Sequence, residues 1–140
     1  MRLTIFTDFG LRALMRMAGE PERPLSTAAL AREFGISRNH LTKAVAALSA
    51  AGFVETRRGG GGGAVLARPA EEIHIGDVVA VLEEGSAIVE CFRPDGGACV
   101  VTPICRLKGI LNAGRTRFID ELNRYTLADC ALPPPEHDDQ

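Results

Sequence analysis

The sequence predicts a mostly α-helical fold: a winged helix-turn-helix, then a cysteine-bearing cluster loop and a long C-terminal dimerisation helix. Three observations predict it. Two short segments with helical apolar spacing, residues 27–34 and 38–50, flank Gly35, the layout of two helices joined by a tight turn. Two short alternating segments then bracket five consecutive glycines, residues 59–63. Finally, the run from 105 to about 125 repeats apolar residues in steps of three and four, the period of an amphipathic helix.

The elements follow in order. A first helix is expected over about 8–18, with Leu11, Leu14, Met15 and Ala18 at helical spacing and Thr7 as its cap. Pro21 and Pro24 punctuate the chain after it. The second helix covers about 27–34, capped by Ser26 or Thr27, with Leu30 and Phe34 as its apolar pair. Gly35 suits the left-handed position at a helix C-terminus, and Ile36 packs inward across the turn. Ser37 caps the third helix, which runs to about 50; Leu41, Val45 and Leu48 line one face, and Gly52 stops it. Residues 53–56 and 64–66 read as strands of a wing whose glycine tip is flexible until a partner orders it.

The second half starts with a short connecting helix over 73–82, followed by a loop over 85–104 that holds Gly, Pro and two cysteines. The long helix carries Leu107, Ile110, Leu111, Gly114, Phe118 and Leu122 as one stripe. Such a stripe at the end of a small protein suits pairing with a second copy. The tail ALPPPEHDDQ is Pro-rich and acidic, a composition of disordered chain. The reading therefore divides the chain into a DNA-binding part (1–70), a cluster-loop and dimerisation part (71–128) and a disordered tail (129–140).

Charge supports a division of labour. The net charge of −2 hides ten Lys/Arg against five Asp/Glu in residues 1–70, and six against thirteen in residues 71–140. A basic half suits a polyanionic partner. No apolar run approaches the ~20 residues of a membrane span, and no signal-peptide h-region opens the chain, so a cytoplasmic protein without membrane contact is expected.

Two constellations carry chemistry. Arg38, Asn39, His40 and Lys43 lie at the start of the third helix, with Arg57 and Arg58 on the wing. Arginine reads guanine bidentately, asparagine reads adenine and lysine mostly holds phosphate; the wing arginines suit backbone or minor groove. Any one of these residues is better read as part of a solvated helix face; as a set they indicate double-stranded DNA. The second constellation is Cys91-x7-Cys99-x5-Cys105. Thiolates are the usual iron–sulfur ligands, and the spacing lacks the paired C-x2-C steps of structural zinc. Spacing alone leaves iron and zinc both open, and three incidental thiols as the bland alternative. Cys105 sits near a helix N-terminus, where the dipole favours an anionic cluster. Cys130 lies beyond the long helix and is set aside as a ligand. Asp8 on its own reads as an acid in a helix's first turn.

Other classes fit less well. No C-x-x-C, no Ser/His/Asp set and no paired carboxylates are suggested, which speaks against a thiol enzyme, a redox carrier or any other enzyme. A zinc-stabilised winged helix serving protein contacts is a further alternative.

The stretches MRLTIFTDFGLRALMRMA, GISRNHLTKAVAALSAAGFV, IHIGDVV, TPICRLKGIL and NRYTLAD resemble the bacterial winged-helix iron–sulfur transcription regulators, over residues 1 to about 129. The resemblance implies a homodimer on an inverted-repeat operator, with Cys91, Cys99 and Cys105 holding a cluster, 4Fe–4S as the expected form and 2Fe–2S as the alternative. It also implies a role for Asp8: in the nitric-oxide-sensing branch a carboxylate here reaches from the partner subunit to complete the ligand set. Another branch, which controls cluster assembly, has a histidine three residues after the third cysteine; this chain has Lys108. The resemblance thus implies a repressor that releases operator DNA when nitric oxide attacks its cluster, with an iron–sulfur-assembly or general redox-responsive regulator as the alternative.

Overall fold

A computed structural model describes residues 2–136. The chain is mostly helical. Its order is α1 (Ile5–Gly19), α2 (Thr27–Phe34), α3 (Arg38–Ala50), β1 (Val54–Arg57), β2 (Gly63–Leu66), α4 (Ile75–Leu82) and α5 (Arg106–Leu122). The strands pair antiparallel, from Val54 opposite Leu66 to Arg57 opposite Gly63.

The helix-turn-helix forms for local reasons. The Ser26 hydroxyl accepts from the Ala29 amide and the Ser37 hydroxyl from the His40 amide, so each side chain satisfies an amide that the first turn leaves free. Gly35 takes φ +63°, and its amide and that of Ile36 close the end of α2. Leu41, Val45 and Leu48 turn inward as their spacing predicts, and Leu30 meets them.

α1 starts earlier than expected. The cap is Thr4, not Thr7; Thr4 Oγ1 accepts from the Thr7 amide, and Thr7 is fully buried. α1 then packs against α3, α4 and β2. Its far end is held by Arg16, 3% exposed, whose guanidinium pairs with Glu20, the residue that caps the helix, and with Glu33 of α2 at 3.0 Å. One core runs from Ala13 through Leu30, Leu41 and Leu48 to Val78, Leu82 and Leu127, so α4 shares its packing with the helix-turn-helix.

The disordered tail expected from residue 129 needs correction. After α5 the chain folds back: the Leu127 amide donates to the Ile73 carbonyl, Leu127–Cys130 forms a 3-10 turn, and the Leu132 amide donates to the Met15 carbonyl at 2.9 Å. Composition did not reveal this because the docking runs through backbone groups. Of that expected tail, residues 137–140 lie outside the described residues. Gly19 makes the docking possible, since a Cβ there would stand 1.6 Å from the Leu132 carbonyl oxygen. At the wing, a Cβ on Gly62 or Gly63 would strike the backbone of Arg57 or Leu25, whereas Gly60 and Gly61 face open space.

Gly19→Ala is expected to lift the C-terminal segment off α1 and leave the helix intact. Hydrogen exchange checks it: the Leu132 amide loses its protection, and the α1 amides keep theirs.

Candidate cluster loop and DNA interface

The six side chains expected to meet DNA are all exposed. Arg38, Asn39, His40 and Lys43 are exposed on the first turns of α3, because Leu41, Ala44 and Val45 take the buried positions between them. Arg57 ends β1 and Arg58 opens the glycine turn, both exposed. None of these six has an ion-pair partner among the described residues. The electrostatic prerequisites for phosphate and base-edge contacts are therefore met.

The three cysteines lie along the loop between α4 and α5. Cys91 sits in a 3-10 turn (Glu90–Phe92), Cys99 follows an open stretch, and Cys105 is the residue before α5. All are free and half-buried. Hydrogen bonds link their surroundings. Glu90 Oε1 accepts from the Ala98 amide at 2.8 Å, joining the residue before Cys91 to the residue before Cys99. The Thr102 amide donates to the Cys99 carbonyl, and the Cys105 amide donates to the Thr102 carbonyl, each at 3.3 Å. Arg93 and Asp95 pair at 3.0 Å across the bend between the first two cysteines.

Among the described residues, no three Cys, His, Asp or Glu side chains converge on one metal-sized centre. The loop sets the thiols on one short, hydrogen-bonded path without gathering their sulfurs. The donor chemistry still fits an iron–sulfur group: three free thiols, one at the start of a 17-residue helix with no capping bond of its own, and a buried hydroxyl, Thr102 Oγ1, with no partner. Cys130 lies in the turn packed on α1 rather than on the loop.

Asp8 is one turn into α1, about half exposed. Its two oxygens accept from Arg12 Nε at 3.1 Å and Nη2 at 2.7 Å. The Arg12 guanidinium also lies 5.8 Å from the centre of the Phe9 ring, and that ring is 6.4 Å from His40 on α3.

Sequence reasoning missed the residue that positions this helix. Glu83, just past α4, accepts through Oε1 from the Thr4 amide at 2.8 Å, the Thr4 hydroxyl at 2.9 Å and the Thr7 hydroxyl. No local signal could have found it, because its partners lie 76 and 79 residues away. Burial by itself would raise the carboxyl's pKa. The bonds from Thr7, Thr4 and Ser86 outweigh it and hold Glu83 below the ordinary carboxylate range. Beside this clasp, a cavity of about 450 Å³ opens between Arg2, Val79, Glu83, Phe92, Arg115 and Phe118.

The family model described as Rrf2, iron-dependent transcriptional regulator, matches residues 3–132. The chain belongs to the Rrf2 family. It is 42% identical to the HTH-type transcriptional regulator NsrR of Halalkalibacterium halodurans over 130 residues, covering 92% of this chain and 89% of that protein. Among solved structures it resembles IscR of T. potens (TM-score 0.71, 28% identity, 92% of this chain and 85% of that one). It also resembles CymR, the global cysteine regulator of B. subtilis (TM-score 0.71, 26% identity, 94% and 96%). The chain is accordingly a helix-turn-helix transcription regulator with the winged-helix fold of its family, and not an enzyme. No helix among the described residues is long and apolar enough to cross a membrane.

Replacing Glu83 tests the clasp. Its folded pKa is lowered, so its contribution to stability is present above about pH 4.3 and lost as pH falls through the folded value. Glu83→Gln should cost about 1 kcal/mol near pH 7, the scale of a partly exposed charged hydrogen bond. Denaturant melts of the variant and the parent should converge on acidification; a gap that does not change with pH would contradict the assignment.

Proposed function

We propose that this Rrf2-family regulator is an iron–sulfur-dependent repressor that responds to nitric oxide. Residues 1–70 bind an inverted-repeat operator, with Arg38, Asn39, His40 and Lys43 in the major groove and Arg57 and Arg58 on the backbone or minor groove. Residues 71–128 hold the cluster and pair two copies. Cys91, Cys99 and Cys105 would ligate it together with Asp8 of the partner subunit. A 4Fe–4S cluster, or 2Fe–2S as the alternative, supplies iron that nitric oxide can bind.

The observation that carries this reading is the join between the cysteine loop and α1. The loop departs immediately after Glu83, and Glu83 holds the start of the helix whose Asp8 would reach the partner subunit's cluster. As a ligand, Asp8 would share with iron the carboxylate oxygens that now accept from Arg12. Arg12 borders Phe9, and Phe9 borders His40 on α3. A change at Asp8 is thus passed, through touching side chains, to the helix that faces DNA.

Pairing is supported by the apolar surface that the single chain leaves open. Val100, Ile104, Leu107 and Ile110 are 91%, 84%, 57% and 66% exposed, and no residue of α5 is buried. Lys108, where the cluster-assembly branch resembled above has histidine, and the likeness to NsrR favour nitric oxide as the signal.

Anaerobic gel shifts test the whole reading. Loaded protein should bind operator DNA at least tenfold more tightly than protein treated with nitric oxide, and oxygen or peroxide should release it less readily. Cys91→Ala, Cys99→Ala and Cys105→Ala should each abolish the visible absorbance, with Cys130→Ala leaving it intact. Equal affinity for loaded, apo and nitric-oxide-treated protein would refute the proposal.

Phe9→Leu tests the route. The cluster absorbance should be unchanged, while the ratio of loaded to apo operator affinity narrows several-fold, within the usual span of such couplings. An unaltered ratio would remove Phe9 from the path.

A further inference from the structure

We infer that the Thr102 hydroxyl is a hydrogen-bond donor to a sulfur of the bound cluster, either a cysteine thiolate or a bridging sulfide. The inference rests on the cluster reading above and names a residue of that site beyond its ligands.

The observation is an orphan. Thr102 Oγ1 is buried and has no hydrogen-bond partner. The one other such side-chain atom among the described residues is Arg16 Nη1, and the rest of that guanidinium is already paired with Glu20 and Glu33. Thr102 has no such relief. Buried polar groups are almost always satisfied, and an exception calls for a missing partner.

Its place in the chain says what that partner is. The Thr102 amide is bonded to the Cys99 carbonyl, and its carbonyl is bonded to the Cys105 amide. The hydroxyl therefore stands on the turn that joins two of the three thiols. Thr102 is the first residue of the 3-10 turn Thr102–Ile104, whose N-cap, Val101, makes no side-chain bond. The Thr102 hydroxyl, having no partner, does not cap the turn either. Its hydrogen rotates freely and can donate. An electron-rich sulfur arriving on this turn is the acceptor the position lacks. Hydrogen bonds to cluster sulfurs stabilise the cluster and set its potential.

The experiment uses the full chain, loaded anaerobically with iron and sulfide, as wild type, Thr102→Val and Thr102→Ser. Val keeps the shape and removes the donor; Ser keeps the donor. We expect Val to take up the same iron and sulfide but to lose them to EDTA several-fold faster. Its Fe–S stretching bands should also shed part of the sensitivity to D2O exchange that wild type and Ser show. In the apo protein the sign reverses: removing an unpaired hydroxyl should raise the melting temperature by a few degrees. A Val variant that fails to load while Ser loads normally also supports the donor role. Val matching loaded wild type in both loss rate and D2O response overturns the inference alone. So does Ser losing iron as fast as Val, since the methyl group would then be what matters. Wild type that takes up no cluster overturns the cluster reading, and this inference falls with it.

Discussion

One carboxylate oxygen of Glu83 accepts three hydrogen bonds from the first turn of α1, and the position of that helix constrains the rest of the molecule. Negative charge is favoured at a helix N-terminus, where the backbone amides point outward without partners. Thr4 and Thr7 add their hydroxyls to the same acceptor, and Thr7 is buried in doing so. At the other end Arg16 is drawn into the interior between Glu20 and Glu33. α1 is therefore fixed by charge at both ends and by apolar packing between them. It has little freedom to shift without disturbing α3, α4 and the wing strand it touches.

That arrangement explains which parts could be read from the chain. The helix-turn-helix was legible almost to the residue, because Ser26, Gly35 and Ser37 act on neighbours one turn away. The start of α1 was misplaced by about a turn. Thr4 and Thr7 are both plausible caps, and what separates them is Glu83, which no local window contains. The return of the chain after α5 was missed for a similar reason: the Leu132–Met15 bond is made by backbone atoms that every residue has. Cys91 and Cys99 lie on the expected loop, and Cys105 stands at the start of the long helix. Spacing says nothing about whether their sulfurs meet, and in the single chain they do not. Asp8 carries no local mark at all; its pairing with Arg12 is an ordinary contact one helical turn apart.

The proposed division between a DNA-binding part and a cluster part is a division of surface more than of core. Val78, Leu82 and Leu127 pack into the same interior as Leu30 and Leu48, so elements on the two sides of the wing do not fold as separate units. α5 is the exception. It rests on α4 along one side and leaves Leu107 and Ile110 uncovered. A rigid body with one uncovered helix fits the proposed pairing of two copies on a duplex, since half-site separation would be set by the geometry of the pair.

The glycines of the wing are not equivalent. Gly62 and Gly63 are locked by neighbouring backbone, while Gly60 and Gly61 have nothing near them. The first pair is therefore closed to substitution, and the second pair is open at no cost in packing. Evolution, or a designer, can load the tip with side chains that reach a groove without disturbing the hairpin. On the proposed DNA reading, side chains added at the tip would change contacts at the operator flanks and leave the recognition helix and the core as they are.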